Sequence, residues 1–504
     1  MRLNDPRDDK ARIEQTKGGL LRDSYRWILY NSDFQRWCLD PGSRLLWIKG
    51  DAGKGKTMLL CGIIDELERI TAVEAYNGHL AYFFCQVTDL RSNNATAVLR
   101  GLIYLLIDQQ PSLLPHLRKK YDLAGKPLFE GLDAWVALSD IFENILRDPS
   151  LHTTYLVIDA LDECVADLPN LLDFIVRVSS SATGVKWLIS SRNWPYIEKK
   201  LGLDDEQTRL SLDLKGNAEQ ISLAVDAYID NKLSRLEALR DDGLLRGQVR
   251  DILRQKANGT FLWVALVVQE LERAQSWDIL EVVDEIPADL APLYDRMLNQ
   301  IEQLPRRNPK FCKLTLSATT VAYRPLRLAE IGGLSGLPEQ ISGSTDKVGE
   351  IVAMCSSFLT VRDDQVYFIH QSAKDYLQAN YTSIQPAGVA QGHTDISRRS
   401  IDAMSTILKR NIYNLDFGFK PKDMRPPQPD PLAPIRYSCV FWADHLSLNV
   451  DAPECKRALT DDGAVFKFLK ERFLHWLESL SLMGKLSDGV LSMRKLLHVV
   501  QVCS

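Results

Sequence analysis

The sequence predicts an α/β domain with a five-stranded parallel sheet at its core, followed by an α-helical domain, a winged helix and a second α-helical domain. Three observations predict this. Short apolar segments alternate with amphipathic helical stretches between residues 44 and 214, the rhythm of a parallel sheet covered on both faces. A glycine-rich run, Gly50–Thr57, separates the first apolar segment from the first helical stretch and matches G-x-x-x-x-G-K-[ST]. That is the setting a phosphate-binding loop requires. Beyond residue 216 the periodicity is helical, apart from one hairpin near residues 358–369.

Residues 1–40 read as a polar lead-in and then a helix, with Leu20, Leu21, Trp27, Ile28 and Phe34 at roughly helical spacing. Pro41-Gly42 breaks the chain there. Residues 41–215 hold the expected strands: Leu45–Ile48, Leu80–Phe84, Tyr155–Ile158, Trp187–Ser190 and Leu210–Leu214. After the first of them, Leu59, Leu60, Ile63, Ile64, Leu67 and Ile70 keep one helical face apolar. Residues 216–303 are expected to be helical throughout, for example over Ile221–Leu233, Val249–Lys256 and Phe261–Leu271. In residues 304–385 two short helices flank Arg324-Pro325-Leu326. A hairpin follows, Phe358–Val361 and Val366–Ile369, turning at Asp363-Asp364. Helices followed by a two-stranded wing indicate a winged helix. Residues 386–504 are expected to hold a helix over 396–412, an irregular stretch at 421–434 with six prolines, and helices from Ile435 onwards.

The composition bounds the function. At 504 residues the chain has room for three or four domains, at ~150 residues each. Hydrophobic residues at 45% and charged residues at 25% exclude a disordered chain, a collagen and a disulfide scaffold. Lys plus Arg is 61 against 66 Asp plus Glu, a net charge of −5, so no basic excess points to nucleic acid or an anionic membrane. Nine cysteines lie scattered without a C-x-x-C, which favours reduced thiols over zinc. The first residues lack the apolar core of a secretory signal. No apolar run approaches the ~18 residues of a membrane span. A soluble cytoplasmic protein is expected.

The chemistry lies in three motifs. Gly50, Asp51, Ala52, Gly53, Lys54 and Gly55 would curl their backbone N–H groups around a phosphate, joined by Lys56, Thr57 and Met58 in the first helical turn. Lys56 would reach the β- and γ-phosphates and Thr57 would ligate Mg²⁺. Thr153–Asp159 reads as an apolar strand ending in an acid. Asp159 would hold the Mg²⁺ water shell, and Asp162 or Glu163 would orient or activate an attacking water. Trp187–Ser191 reads as a strand lying between the other two, so that Arg192 beyond it would sense the γ-phosphate. His370, at the end of the second wing strand, reads from spacing alone as a structural histidine.

These residues resemble a known family. GDAGKGKT, YLVIDALDEC, KWLISSRNWP, KANGTFLWVALVVQEL and FIHQSAKDYL are similar to segments of the fungal NACHT proteins, P-loop NTPases of the STAND class related to NOD-like receptors. The resemblance spans residues 10–500. It implies a switch in which the NTPase domain, helical domain and winged helix clamp a diphosphate, while a triphosphate opens the protein and permits oligomerisation. It also implies that Asp23–Trp27 packs on the base, that Arg192 is the sensor arginine, and that His370 meets the ADP β-phosphate. Family members usually add an N-terminal effector and C-terminal repeats that sense a ligand. Here 49 residues precede Gly50, so the chain resembles the switch core: a truncated core, an unusual gene product, or a member that works with effector or sensor partners in trans. Many members serve non-self recognition and cell death.

Two other readings share the motifs. A steadily cycling ATPase or phosphotransferase would use the same loop, but no second-substrate motif accompanies it. A DNA-binding regulator would use the winged helix, but residues 306–385 hold nine Lys or Arg against seven Asp or Glu, a weak footing for phosphate contacts. Nucleic acid is therefore not the expected partner. No base-reading motif decides between ATP/ADP and GTP/GDP.

Overall fold

The computed structural model describes residues 5–73, 78–89, 91–125, 127–130, 133–181, 184–202, 208–416, 426–449 and 453–503. The chain divides into two compact units, Met1–Leu293 and Tyr294–Ser504.

The first unit is built on five strands: β1 (Leu45–Lys49), β2 (His79–Phe84), β3 (Thr154–Asp159), β4 (Val185–Ser191) and β5 (Arg209–Asp213). Each lies within two residues of its expected place. All neighbours pair in parallel, in the order β2-β3-β4-β1-β5. Every residue of β3 and β4 is buried, because helices cover both faces of a parallel sheet and leave no side for polar alternation. The chain runs from β1 to the far edge at β2 and returns through β3 and β4 to lie beside β1 again. Trp47 of β1 pairs with Ile189 of β4, and Leu188 with Val157 of β3. The carboxyl ends of β1, β3 and β4 therefore converge, the usual place for a ligand in such sheets.

The amino end differs from expectation twice. The helix expected through Leu20–Phe34 is broken into Arg22–Tyr25, a 3-10 turn Arg26–Tyr30 and Ser32–Leu39, because Asn31 caps a fresh helix start. Residues Pro6–Thr16 form a helix rather than a polar lead-in. Asp5 caps it, its carboxylate accepting from Arg7 N at 3.0 Å, and Pro6 opens its first turn. Ile13 is buried and Lys10 pairs with Asp65 at 2.5 Å, so the helix docks on the α/β layer through few apolar residues. After β5 come the helices Ala218–Leu233, Gly243–Ala257, Phe261–Leu271 and Ile279–Glu285. Ile229, Val249, Leu253, Trp263, Val267 and Val283 form their buried side.

In the second unit the expected hairpin is present as β7 (Leu359–Arg362) and β8 (Gln365–Phe368). Asp363 and Asp364 take φ of 47° and 64°, as a two-residue hairpin turn requires. The structure adds β6, the two residues Leu326–Arg327, making a three-stranded antiparallel sheet in the order β6-β8-β7. Around it stand the helices Asn308–Val321, Leu328–Ser335 and Thr345–Met354. Glu330 is wholly buried, yet satisfied by Arg324 at 2.7 and 2.8 Å and by the N–H groups of Arg327 and Tyr437.

The helices Gly388–Ile407, Arg436–Ser447, Ala464–Leu482 and Leu486–Cys503 complete the unit, the first lying earlier than the expected 396–412. Trp442, Phe468 and Trp476 fill the core of these helices. Of the proline-rich stretch, residues 421–425 lie outside the described residues; the remainder leads into a short 3-10 turn, Ala433–Ile435. No helix among the described residues is long and apolar enough to cross a membrane.

Candidate functional site

The loop Gly50–Gly55 joins β1 to the helix Lys56–Thr71. Gly53 and Gly55 have φ of +77° and +83°, conformations in which a Cβ is strained. Neighbours enforce the same choice. A Cβ on Gly53 would lie 2.9 Å from Leu262, and one on Gly55 would lie 2.8 Å from the Phe261 ring. The loop is thus packed on its outer side against the first turn of the helix Phe261–Leu271. On its inner side the first intrahelical bond is Leu59 N to Gly55 O at 2.9 Å. The N–H groups of Lys56, Thr57 and Met58 precede that bond, so they are the orphan donors of a helix start. Together with the helix dipole they form an anion site.

Lys56 is in place but folded back. Its Nζ donates to Gly50 O at 2.6 Å and Asp51 O at 2.9 Å. Burial lowers its pKa, against the pull of Asp162 and Asp159. A phosphate arriving here would offer the ammonium stronger, charged acceptors than two carbonyls.

Asp159 ends β3 with 2% of its surface exposed. Burial raises its pKa, partly offset by hydrogen bonds from the Ser190 and Thr57 hydroxyls. The Ser190 bond is 2.5 Å, and the same Ser190 Oγ accepts from Ala160 N at 2.9 Å. Asp159 and the Thr57 hydroxyl are two hard oxygen donors at this end of the sheet, a set that fits Mg²⁺ completed by phosphate and water.

Ala160, with φ +51°, turns the chain sharply after β3. The next residues form a short 3-10 turn, Leu161–Glu163, which splits the two acids. Asp162 faces Arg192: its Oδ1 accepts from Arg192 N at 3.0 Å and its Oδ2 lies 3.3 Å from Arg192 Nε. Glu163 turns the other way and accepts from Val87 N at 3.0 Å. Burial raises its pKa from 4.5 to about 7, with Asp162 and Asp159 adding to the rise. A carboxyl poised near neutrality suits general-base work.

The structure therefore gathers Lys56, Thr57, Asp159, Asp162, Glu163 and Arg192 at one end of the sheet. Lys54 points its ammonium out of the loop, towards Asn258 and Thr260. Tyr25, within the segment Asp23–Trp27, is buried against Gly62 of the helix Lys56–Thr71. His370 belongs to the second unit. There it caps the helix Gln371–Ala379, its Nδ1 accepting from Ser372 N at 3.1 Å. Sequence reasoning missed Ser190, Val87 and Thr260. The polar pair Ser190-Ser191 ending an apolar strand was the one local signal among them.

The nephrocystin 3 N-terminal family matches residues 23–192, from the segment before the loop to Arg192. Across its whole length the resemblance is stronger. Over 515 aligned residues, 98% of this chain, it is 47% identical to vegetative incompatibility protein HET-E-1 of Podospora anserina. The chain belongs to the fungal NACHT-domain proteins of the STAND class. It spans 37% of the length of that relative. Among solved structures, the ORC2 protein of Aeropyrum pernix is 12% identical, covering 77% of this chain and 95% of that one, with a TM-score of 0.33. A Walker-type ATPase of Pyrococcus abyssi is 12% identical, covering 71% and 95%, with a TM-score of 0.31. The parallel sheet with its loop and strand-end acids gives this NACHT chain a P-loop NTPase core.

Proposed function

We propose that the chain is a nucleotide-gated signalling switch, closed with a diphosphate and opening to oligomerise with a triphosphate, acting in fungal non-self recognition or cell death. One observation carries this reading. The loop Gly50–Gly55, Lys56 and the acids beyond β3 lie together at one end of the sheet, in a chain 47% identical along 98% of its length to a vegetative incompatibility protein. In this reading the loop N–H groups and Lys56 bind the phosphates. Thr57, and Asp159 through water, hold Mg²⁺, which when bound neutralises phosphate charge. Glu163, or Asp162, orients the attacking water, and Arg192 senses the γ-phosphate.

The rest of the reading rests on the family. The division into NTPase, helical, winged-helix and second helical domains at residues 41–215, 216–303, 304–385 and 386–504 is part of it. So are His370 against a β-phosphate, self-oligomers on activation, effector or sensor partners in trans, and a cytoplasmic place of action. A change of domain position follows from the phosphate state only if the closed and open forms bind the two nucleotides differently. A second reading, a steadily cycling ATPase, is favoured by the carboxyl of Glu163, whose pKa of about 7 suits a base at neutral pH.

The deciding experiment is the nucleotide released by acid from freshly purified protein, beside Lys56→Ala. The switch predicts near-stoichiometric diphosphate in the parent and none in the variant, and the released base identifies adenine or guanine. An empty parent that hydrolyses added ATP faster than about 1 s⁻¹, the lower end of ordinary enzyme turnover, would replace the switch by the cycling enzyme. Equal nucleotide in parent and variant would remove Lys56 from the site.

A further inference from the structure

Lys54, within the loop, turns its side chain towards the segment Asn258–Thr260. Its Nζ donates to Asn258 O at 2.7 Å and to Thr260 Oγ1 at 3.1 Å. Burial lowers its pKa, against the pull of Asp51 and Asp289, which favour the charged form. A third bond joins the same two segments, Leu262 N to Gly53 O at 3.3 Å.

The turn that receives these bonds is built to hold still. Asn258 and Gly259 both adopt positive φ, 45° and 63°, and reverse the chain between two helices. Asn258 Nδ2 donates to Asp289 Oδ1 at 3.2 Å. Lys256, just before the turn, donates to the carbonyls of Val283, Asp284 and Ile286 at 3.1, 2.6 and 3.0 Å. Trp263, just after it, donates to Pro287 O at 3.0 Å. The turn is therefore tied to the carboxyl end of the helix Ile279–Glu285, and Lys54 ties the phosphate loop to the turn.

We propose that Lys54 is a positioning residue, a latch between the phosphate loop and the turn Asn258–Thr260 that sets how fast bound nucleotide leaves. The inference rests on nucleotide binding at Gly50–Thr57. Lys54 lies between Gly53 and Gly55, whose left-handed backbones have little intrinsic stiffness. Anchoring the side chain between them fixes the peptide planes whose N–H groups meet the phosphates. When the turn moves away, those planes are released together with the ammonium. An ammonium bound to two neutral oxygens suits such a latch: the bond is charge-assisted, yet breaking it leaves no stranded carboxylate.

The test follows release of a fluorescent N-methylanthraniloyl diphosphate, with the base found in the purified protein, by stopped flow. Lys54→Met keeps the stem and removes the charge; it should release nucleotide at least about tenfold faster, since both charge-assisted hydrogen bonds are lost. Lys54→Arg, which still reaches both oxygens, should stay within about threefold of the parent. Thr260→Val should accelerate release by a smaller factor. The double variant Lys54→Met with Thr260→Val should be no faster than Lys54→Met alone, a coupling that a merely structural role would not produce. Parental release from Lys54→Met, or factors that multiply in the double variant, would overturn the latch while leaving the phosphate site intact. A parent that binds no diphosphate would overturn the site and the latch with it.

Discussion

Replacing Glu163 by glutamine tests the burial of its carboxyl without needing any ligand. Burial raises the pKa of Glu163 from 4.5 to about 7. The folded chain therefore holds this proton more tightly than the unfolded chain does. Stability contributed by the protonated group is complete below pH 4.5 and is lost as pH rises towards 7. Each pKa unit corresponds to about 1.36 kcal/mol, so ionising Glu163 costs the first unit ~3 kcal/mol by pH 8. Glutamine does not ionise, and its amide oxygen still accepts from Val87 N. Relative to the parent, Glu163→Gln should thus gain ~3 kcal/mol between pH 4.5 and 8, and nothing further above that. Urea-dependent hydrogen exchange on peptides from β3 reads this in the sheet-bearing unit alone. Because desolvation is the leading cause, the gain should persist in 1 M salt, where exposed charges are screened beyond ~3 Å. A parent and a variant with parallel pH dependence would refute the burial argument, and with it the case for Glu163 as a neutral-pH base.

Three further outcomes follow from the same geometry. Gly55→Ala should lose nucleotide binding and destabilise the loop by ~1–3 kcal/mol, from left-handed strain and from the Phe261 ring 2.8 Å away; calorimetric titration at parental affinity would contradict it. Ser190→Ala removes the hydroxyl that donates to Asp159 and accepts from Ala160 N, so the chain should lose ~1–3 kcal/mol and bind Mg²⁺-nucleotide more weakly than the parent; unchanged chemical denaturation would place those bonds on water instead. His370→Ala should cost the second unit about 1 kcal/mol through loss of the cap on Ser372 N, and, under the proposed switch, should speed ADP release and favour oligomers; parental release and parental mass would leave the histidine as a cap.

What was legible in the sequence is what short-range pattern encodes. The β3 and β4 strands are continuous apolar runs because both faces are buried, and the loop Gly50–Thr57 is local in the chain, so both could be read directly. The hairpin at Asp363-Asp364 could be read for the same reason. The amino-terminal helix had a signal that was passed over, Asp5-Pro6 followed by Asp8 and Asp9 in the first turn; its apolar stripe is too thin for periodicity to reveal. Strand β6 is two residues long and exists only through its pairing with β8. The bonds that finish the site join distant segments: Lys54 to Asn258 across 204 residues, Glu163 to Val87 across 76, Ser190 to Asp159 across 31. No spacing announces such pairs, since the topology of the sheet brings them together.

These long-range bonds bear on how the site works. Lys56 is bonded to carbonyls of its own loop, Asp162 to Arg192, Glu163 to Val87 N, and Asp159 to Ser190. A nucleotide engaging them must replace bonds already made, so net affinity is the difference between new charged contacts and the ones surrendered. Lys56 gains by exchanging carbonyls for phosphate under either nucleotide. Arg192 differs: its guanidinium is held through Nε, 3.3 Å from Oδ2 of the buried Asp162, so under the proposed reading a γ-phosphate would compete with that aspartate for it. Under the proposed switch, a diphosphate would leave the Arg192–Asp162 pair undisturbed, whereas a triphosphate would compete for it. Under that reading the pair would be a point at which the two nucleotides differ in energy, as a switch requires. Under the proposed reading, Asp162→Asn should narrow the preference between di- and triphosphate, because its amide holds the guanidinium less tightly. An undiminished preference in competition binding would move the discrimination away from Arg192.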